Sequence, residues 1–189
     1  MPTPPSSPEE AYLAAERRAS QPSEYVNGEV LPMPAMSEAH AMLAGNICTS
    51  LAQQLNGRPW KVQGSHRRLY VPDGPLYTYP DAALVCGEAE FWPDGHHDNL
   101  LNPSLLVKVL PHAMPAHFAQ VFESYYRIPT VQHVLLVTEY AARVSLGSRN
   151  ENGLLNVYGF TGLDDVILLP DLGMELPLAE IYQNVALRA

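Results

Sequence analysis

Residues 79–85 read Tyr-Pro-Asp-Ala-Ala-Leu-Val, and residues 105–110 read Leu-Leu-Val-Lys-Val-Leu. The second run is typical of a strand that is buried on both faces. In the first run, Pro80 marks the start of a strand, because proline cannot donate a hydrogen bond to a β-ladder. Asp81 is therefore predicted to be a carboxylate at the mouth of an apolar strand. An aspartate that merely caps a turn is the alternative interpretation of this short motif.

Lys108 lies at the centre of the second strand. An unpaired ammonium inside a core strand is strongly destabilising, so it must be neutralised, paired or turned toward a cavity. A charge in this position predicts a functional site. The alternative is an edge strand that leaves Lys108 in solvent.

Helix and strand signals alternate along the rest of the chain. Capping residues and apolar spacing predict helices at 7–19, 37–57, 115–127 and 178–187. Strands are predicted at 24–26 and 29–31 around an Asn27-Gly28 turn, and at 61–71, 79–86, 105–110, 133–138, 143–148 and 154–160. This order predicts an α/β domain with a mixed central sheet. Residues 1–6 are predicted to be a flexible N-terminus, and residues 7–189 a single domain.

The composition restricts the partners and the cell compartment. Lys and Arg number 11 against 20 Asp and Glu, so the net charge is −9, which opposes non-specific attachment to DNA. The one dense basic run is His66-Arg67-Arg68. No apolar run is long enough to span a bilayer, and the N-terminus lacks the pattern of a secretory signal. Together with Cys48 and Cys86, which read as small buried residues, this favours a cytoplasmic protein with no membrane partner.

Several other polar residues are weaker candidates for a site. Glu29 lies on the predicted hairpin, and His40 lies near the start of the second helix, where its imidazole can face a cleft. His112 and His117 are five residues apart, which is a poor spacing for one helical face. A histidine metal cluster is therefore not favoured.

Six motifs occur in a specific order, at residues 24–29, 37–40, 76–81, 102–103, 125–129 and 175–182. As a set they resemble the large bacterial family of restriction-endonuclease-like proteins known as Uma2 (Uma-two), within the PD-(D/E)xK nuclease superfamily. The resemblance spans residues 7–186. It implies a restriction-endonuclease-like fold, a mixed central β-sheet flanked by helices, and a homodimer.

The resemblance also implies a metal-dependent phosphodiesterase site. Family members place an Asp after the Pro, a Glu in the middle of the core strand and a Lys on the following helix; the carboxylates hold Mg²⁺, which activates water. Asp81 matches the first position. Lys108 stands at the glutamate position and Val121 at the lysine position, and the family's Ser-Pro-Ser-Thr after the strand is replaced at residues 111–114.

Three functions remain open on this basis. The first is a catalytically inactive member retained for binding a partner, a nucleic acid or its own copy, in which Lys108 pairs with Asp81 and also with Glu29. The second is an active Mg²⁺-dependent DNA endonuclease that uses Asp81 as metal ligand with substitutes such as Glu29, His40 and Glu123. The third is a structural domain or a decaying mobile-element product without either role. The two inactive interpretations together are favoured over the nuclease, and the sequence does not choose between them.

Overall fold

The computed structural model describes residues 7–72, 74, 76–111 and 117–187. The predicted flexible N-terminus and most of the 111–114 motif lie outside these ranges. The helices are α1 Pro8–Glu16, α2 Glu38–Gln53, α3 Phe118–Tyr125 and α4 Leu178–Ile181. The strands are β1 Ser23–Val26, β2 Glu29–Pro32, β3 Lys61–Gly64, β4 Arg68–Val71, β5 Leu76–Thr78, β6 Ala82–Val85, β7 Asn99–Leu100, β8 Leu105–Leu110, β9 His133–Thr138, β10 Val144–Arg149, β11 Leu155–Phe160, β12 Val166–Leu169 and β13 Met174–Pro177. No helix within the described ranges has the length and apolarity to cross a membrane.

The central sheet has six strands in the order β11-β10-β9-β8-β6-β3. Strands β8 and β9 run parallel, and their neighbours pair antiparallel, so the predicted mixed sheet is confirmed. Alternate residues of β8 face two different cores. Leu105, Val107 and Val109 pack with the apolar side of α2, whereas Leu106 packs with the apolar side of α3.

A second sheet has the order β2-β1-β5-β4-β7. It contradicts the prediction of a single strand over 61–71, whereas the strand predicted at 79–86 is present as the shorter β6. Residues 61–71 form β3 and β4, which belong to different sheets and are separated by a turn in which Arg67 N donates to Gly64 O at 3.0 Å. Likewise, β5 ends before Tyr79 and β6 begins at Ala82, because Pro80 interrupts the ladder where the chain passes from one sheet to the other. The Tyr-Pro-Asp motif is therefore the link between the two sheets.

Other boundaries also differ from the prediction. The 87–103 segment contains the short strand β7, and the β12–β13 hairpin was missed although Pro170, Asp171 and Gly173 between its two strands are typical turn residues. The last helix is much shorter than predicted and is followed by Asn184, whose φ of +59° is incompatible with a continuing helix.

The elements that carry the site form for local reasons. The predicted hairpin is confirmed: Asn27 and Gly28 both have positive φ, at +51° and +90°, as a two-residue hairpin turn of this type requires. The predicted start of α2 is also confirmed, since the Ser37 side chain accepts a hydrogen bond from His40 N at 3.0 Å. This cap fixes His40 in the first turn of α2.

Candidate functional site

Asp81 is the residue immediately before β6, and it is only 2% exposed. Its backbone N donates to Val107 O at 2.8 Å, and its Oδ2 accepts from Val109 N at 2.7 Å. The carboxylate thus replaces a carbonyl in the ladder with β8. Its other oxygen, Oδ1, lies 2.8 Å from His40 Nε2. Both oxygens of the buried carboxylate are therefore already bonded.

Lys108 lies on the neighbouring strand β8, but its side chain faces the α3 side, like that of Leu106. The Nζ donates to Tyr79 O at 2.8 Å and lies 3.9 Å from Glu24 Oε1. The predicted pairing of Lys108 with Asp81 is wrong, because the Asp81 carboxylate bonds to His40 Nε2 and Val109 N, whereas the Lys108 ammonium bonds to Tyr79 O and faces a different carboxylate. The carboxylate that faces this ammonium belongs to Glu24.

Glu24 is a buried carboxylate on β1 that sequence reasoning used only as part of a family motif. Thr78 Oγ1 donates to its Oε1, and His117 Nε2 lies 3.3 Å from its Oε2. Burial raises the pKa of Tyr125, and the negative charge of Glu24 raises it further. Strand periodicity could have identified Glu24, because residues two apart in a strand lie on the same face. Glu24 shares a face of β1 with the core residue Val26, so its carboxylate occupies a core-facing position.

The remaining predicted site residues lie elsewhere or have no polar group to offer. Glu29 is exposed on β2 beside the hairpin turn, so the predicted contact between Lys108 and Glu29 is wrong. Val121 is 2% exposed and belongs to the apolar core beside α3. Glu123 lies on α3 and lines a surface recess.

A polar network holds the Tyr79 link in place behind the site. Tyr79 Oη donates to Glu16 at 2.8 Å and accepts from Arg68 Nη1 at 3.2 Å, and burial raises the pKa of Tyr79 to about 12. Arg68 also bonds Asp98 at 2.5 Å, and Asp98 in turn is bonded by Arg17 at 2.7 Å. Because these contacts fix the Tyr79 ring, they also fix the carbonyl that accepts from Lys108.

This set of donors does not fit a Mg²⁺ ion. Magnesium prefers several oxygen ligands in octahedral geometry. Here Asp81 has both oxygens bonded, and an ammonium lies next to Glu24. Among the described residues, no three His, Cys, Asp or Glu side chains converge in a way that could hold a metal ion.

The mixed sheet, the helices on its faces and the aspartate at the mouth of β6 define a restriction-endonuclease-like α/β protein. The model of the Uma2 family, described as "Putative restriction endonuclease", matches residues 9–179. The chain belongs to this family.

Two relatives and a solved structure are similar to this chain. "Uncharacterized protein sll1609" of Synechocystis sp. PCC 6803 is 31% identical over 134 residues, which cover 70% of this chain and 75% of the relative. "Uncharacterized protein slr1290" of the same organism is 25% identical over 98% of this chain and 95% of its own. The crystal structure of a "putative nuclease belonging to DUF820" from Anabaena variabilis matches with a TM-score of 0.73 at 14% identity, over 94% of this chain and 98% of that one. At this identity the crystal structure shows the shared fold.

Proposed function

We propose that this chain is a catalytically inactive member of the restriction-endonuclease-like family, retained as a binding protein rather than as a nuclease. The observation that carries the proposal is the position of Lys108. Its ammonium donates to Tyr79 O at 2.8 Å and faces Glu24 at 3.9 Å, at the position where the family resemblance implies a metal-binding glutamate.

The charge of the site supports this proposal. Replacing a glutamate by Lys108 removes one negative charge and adds one positive charge beside Glu24. At an effective dielectric constant of 20, unit charges 4 Å apart interact by about 4 kcal/mol, and a divalent ion would be repelled about twice as strongly. A single lost ligand typically weakens a metal site substantially, and here the replacement is itself a cation. The ammonium therefore serves as the counter-ion of Glu24.

The helical position supports the same conclusion. Val121 stands where the resemblance implies a lysine that stabilises the transition state of phosphodiester cleavage. Its side chain is 2% exposed and packs in the core. The chain thus lacks both the central carboxylate and the helical cation.

The alternative is an active Mg²⁺-dependent endonuclease with substitute residues. The contact of 2.8 Å between His40 and Asp81 favours a role for this histidine. However, this contact and the bond from Val109 N occupy both oxygens of Asp81, the proposed metal ligand, and the other proposed substitute, Glu29, is exposed beside the hairpin turn. Inactivity is therefore the better supported of the two.

The partner of an inactive member follows from charge and location. With a net charge of −9, DNA is disfavoured as a non-specific ligand, and we favour a cytoplasmic protein whose partner is another protein chain. A homodimer is the simplest such assembly.

The test compares the wild type with Lys108→Glu and with Lys108→Glu/Val121→Lys. Thermal unfolding is followed with Mg²⁺, with Mn²⁺ and with EDTA, and cleavage of plasmid and linear DNA is measured in the same buffers. The wild type is expected to melt at the same temperature in all three and to leave DNA intact. Lys108→Glu is expected to gain about 2.7 kcal/mol at a hundredfold excess of metal over Kd. This corresponds to a rise in Tm on the order of 5–10 °C for a chain of this size.

Lys108→Met is the matched control, because it removes the ammonium without supplying a carboxylate and so should not respond to metal. Stabilisation of the wild type by millimolar Mg²⁺ or Mn²⁺, together with metal-dependent DNA cleavage that Asp81→Ala abolishes, would show that the site is active and the proposal wrong.

A further inference from the structure

The two larger sheets end in four edge strands, and three of these are protected against pairing with another chain. Natural sheets protect their edges by short strands, charges and prolines. β2 carries Glu29 and Pro32, β3 carries Lys61, and β7 is two residues long. β11 is the exception, because it is six residues long and has neither a charged residue nor a proline.

The side chains of β11 are unusually apolar for their exposure. Val157 is 67% exposed, Tyr158 47% and Leu155 42%. Leu154, just before the strand, is 65% exposed, and Leu163, just after it, is 47% exposed. Strand addition occurs on uncharged, exposed and apolar edges of this kind.

The backbone of β11 has a definite set of outward-facing groups. Antiparallel ladders alternate between residues that bond to the neighbour and residues that point away from it. Asn150 N donates to Leu154 O at 2.8 Å, which places Leu154 and then every second residue along β11 in the bonded set. The N–H and C=O groups of Leu155, Val157 and Gly159 therefore point away from β10, toward the open edge.

We propose that β11 pairs with β11 of a second copy of this chain, antiparallel and about a two-fold axis at Val157. The outward-facing set is symmetric about Val157, so Leu155 of each copy meets Gly159 of the other and Val157 meets its equivalent. The N–H and C=O groups of all three outward-facing residues then form backbone hydrogen bonds with the second copy. The two central sheets join into one.

A second copy fits this edge better than an unrelated strand, because the edge is complementary to itself. A two-fold contact brings the same surface together twice. β11 has no charged side chain, so copies that each carry a net charge of −9 meet along a strand where there is no like-charge pair.

The same pairing also extends the contact beyond the ladder. It sets Leu154 of each copy opposite Phe160 of the other, which brings a further exposed apolar side chain into the interface. A stable interface buries roughly 800 Å² per partner, so this added contact is needed as well as the backbone bonds. The inference does not depend on whether the nuclease site is active.

The test uses the self-pairing of Val157. Val157→Lys and Val157→Asp each place identical charges directly opposite one another across the axis, which is destabilising, whereas a mixture of the two variants places opposite charges there. Sedimentation velocity is run from micromolar to high micromolar concentration on the wild type, on each variant and on their equimolar mixture. The wild type is expected to dimerise, each variant to have a Kd raised by at least about tenfold, and the mixture to dimerise again.

Val30→Lys is the matched control, since Val30 is 54% exposed on β2, the edge of the other sheet. It is expected to dimerise like the wild type. Circular dichroism confirms that each variant is folded, which is expected because Val157 is exposed. A monomeric wild type, variants that dimerise as tightly as the wild type, or a mixture that stays monomeric would each overturn the proposed pairing; in the last case β11 would instead be a docking edge for a different protein.

Discussion

Replacing Lys108 by methionine is the most direct test of its role in stability. Methionine keeps an unbranched side chain of similar length but removes the ammonium. The change leaves Tyr79 O without its donor and leaves Glu24 without a cation, in a site where the side chains of Lys108 and Glu24 are only 13% and 8% exposed. We expect the variant to fold but to be clearly less stable.

The expected loss of unfolding free energy follows from the two contacts of the ammonium and from the cost of removing the ammonium from water, which opposes them. A hydrogen bond to a charged donor contributes about 1.5–3 kcal/mol. The attraction between the ammonium and Glu24 at 3.9 Å is about 4 kcal/mol at an effective dielectric constant of 20. The cost of burying the ammonium, which the variant avoids, offsets several kcal/mol of this sum. Thr78 and His117 continue to contact Glu24, so the free energy of unfolding should fall by about 3 kcal/mol, at the lower end for a broken buried pair.

The measurement is urea denaturation near neutral pH, with the m-value checked so that the change is one of stability. The chain has only two lysines, and the other one, Lys61, is exposed on β3, so Lys61→Met is a closely matched control. The control is expected to lie within about 0.5 kcal/mol of the wild type. If Lys108→Met destabilises no more than this control, the ammonium does not hold Glu24 and the charge argument fails.

Three further predictions concern other parts of the molecule. Asp81→Ala leaves a backbone N–H of β8 without its acceptor and should lower the free energy of unfolding by about 2 kcal/mol in urea denaturation, with Asp81→Asn costing less because it keeps an acceptor. Burial would raise the pKa of Asp98, but the hydrogen bond from Arg17 and the positive charges of Arg68 and Arg17 together outweigh it and hold the pKa below its ordinary value. The Asp98 carboxylate therefore stabilises the fold at pH values above the ordinary carboxyl pKa, and this stabilisation is lost as the pH falls through the lowered pKa. Thermal unfolding at decreasing pH should show a smaller acid-induced fall in Tm for Asp98→Asn than for the wild type. Gly147→Ala should lower the free energy of unfolding by about 1–3 kcal/mol, because the new Cβ would lie 2.0 Å from Tyr126 Oη. Tyr126→Phe removes a buried hydroxyl that has no hydrogen-bond partner among the described residues. It should therefore raise the Tm by itself and reduce the loss of stability that Gly147→Ala causes.

Local sequence signals predicted the elements that carry the site. The Asn27-Gly28 turn, the Ser37 cap and the apolar run of β8 each act over a few residues, and the structure confirms all three. They are enough to place His40 at the start of a helix and Lys108 inside a core strand. The family resemblance added the order of these elements and so the fold.

Contacts between sheets could not be predicted in the same way. The break of residues 61–71 into β3 and β4 depends on which sheet offers each half a partner, and no local signal reports this. The partner of Lys108 depends on the same crossover, because Tyr79 lies in the link between the two sheets and Glu24 lies on β1 of the second sheet. Periodicity could have identified Glu24 as core-facing, but it could not have said which cation it meets.

The positions of Lys108 and Val121 imply that metal binding and cleavage should return separately. In the arrangement that the resemblance implies, the strand supplies a carboxylate and the helix supplies a cation; here the strand supplies the cation and the helix supplies an apolar side chain in the core. Lys108→Glu restores only the first of these, so it should recover metal binding before it recovers any cleavage. Val121→Lys alone would bury a second ammonium in the apolar core and should destabilise the fold without activity. A lysine at position 121 gains a new carboxylate partner only when Lys108 has also been replaced by glutamate. A gain of cleavage that is confined to the double variant Lys108→Glu/Val121→Lys is therefore the outcome that this charge pattern requires.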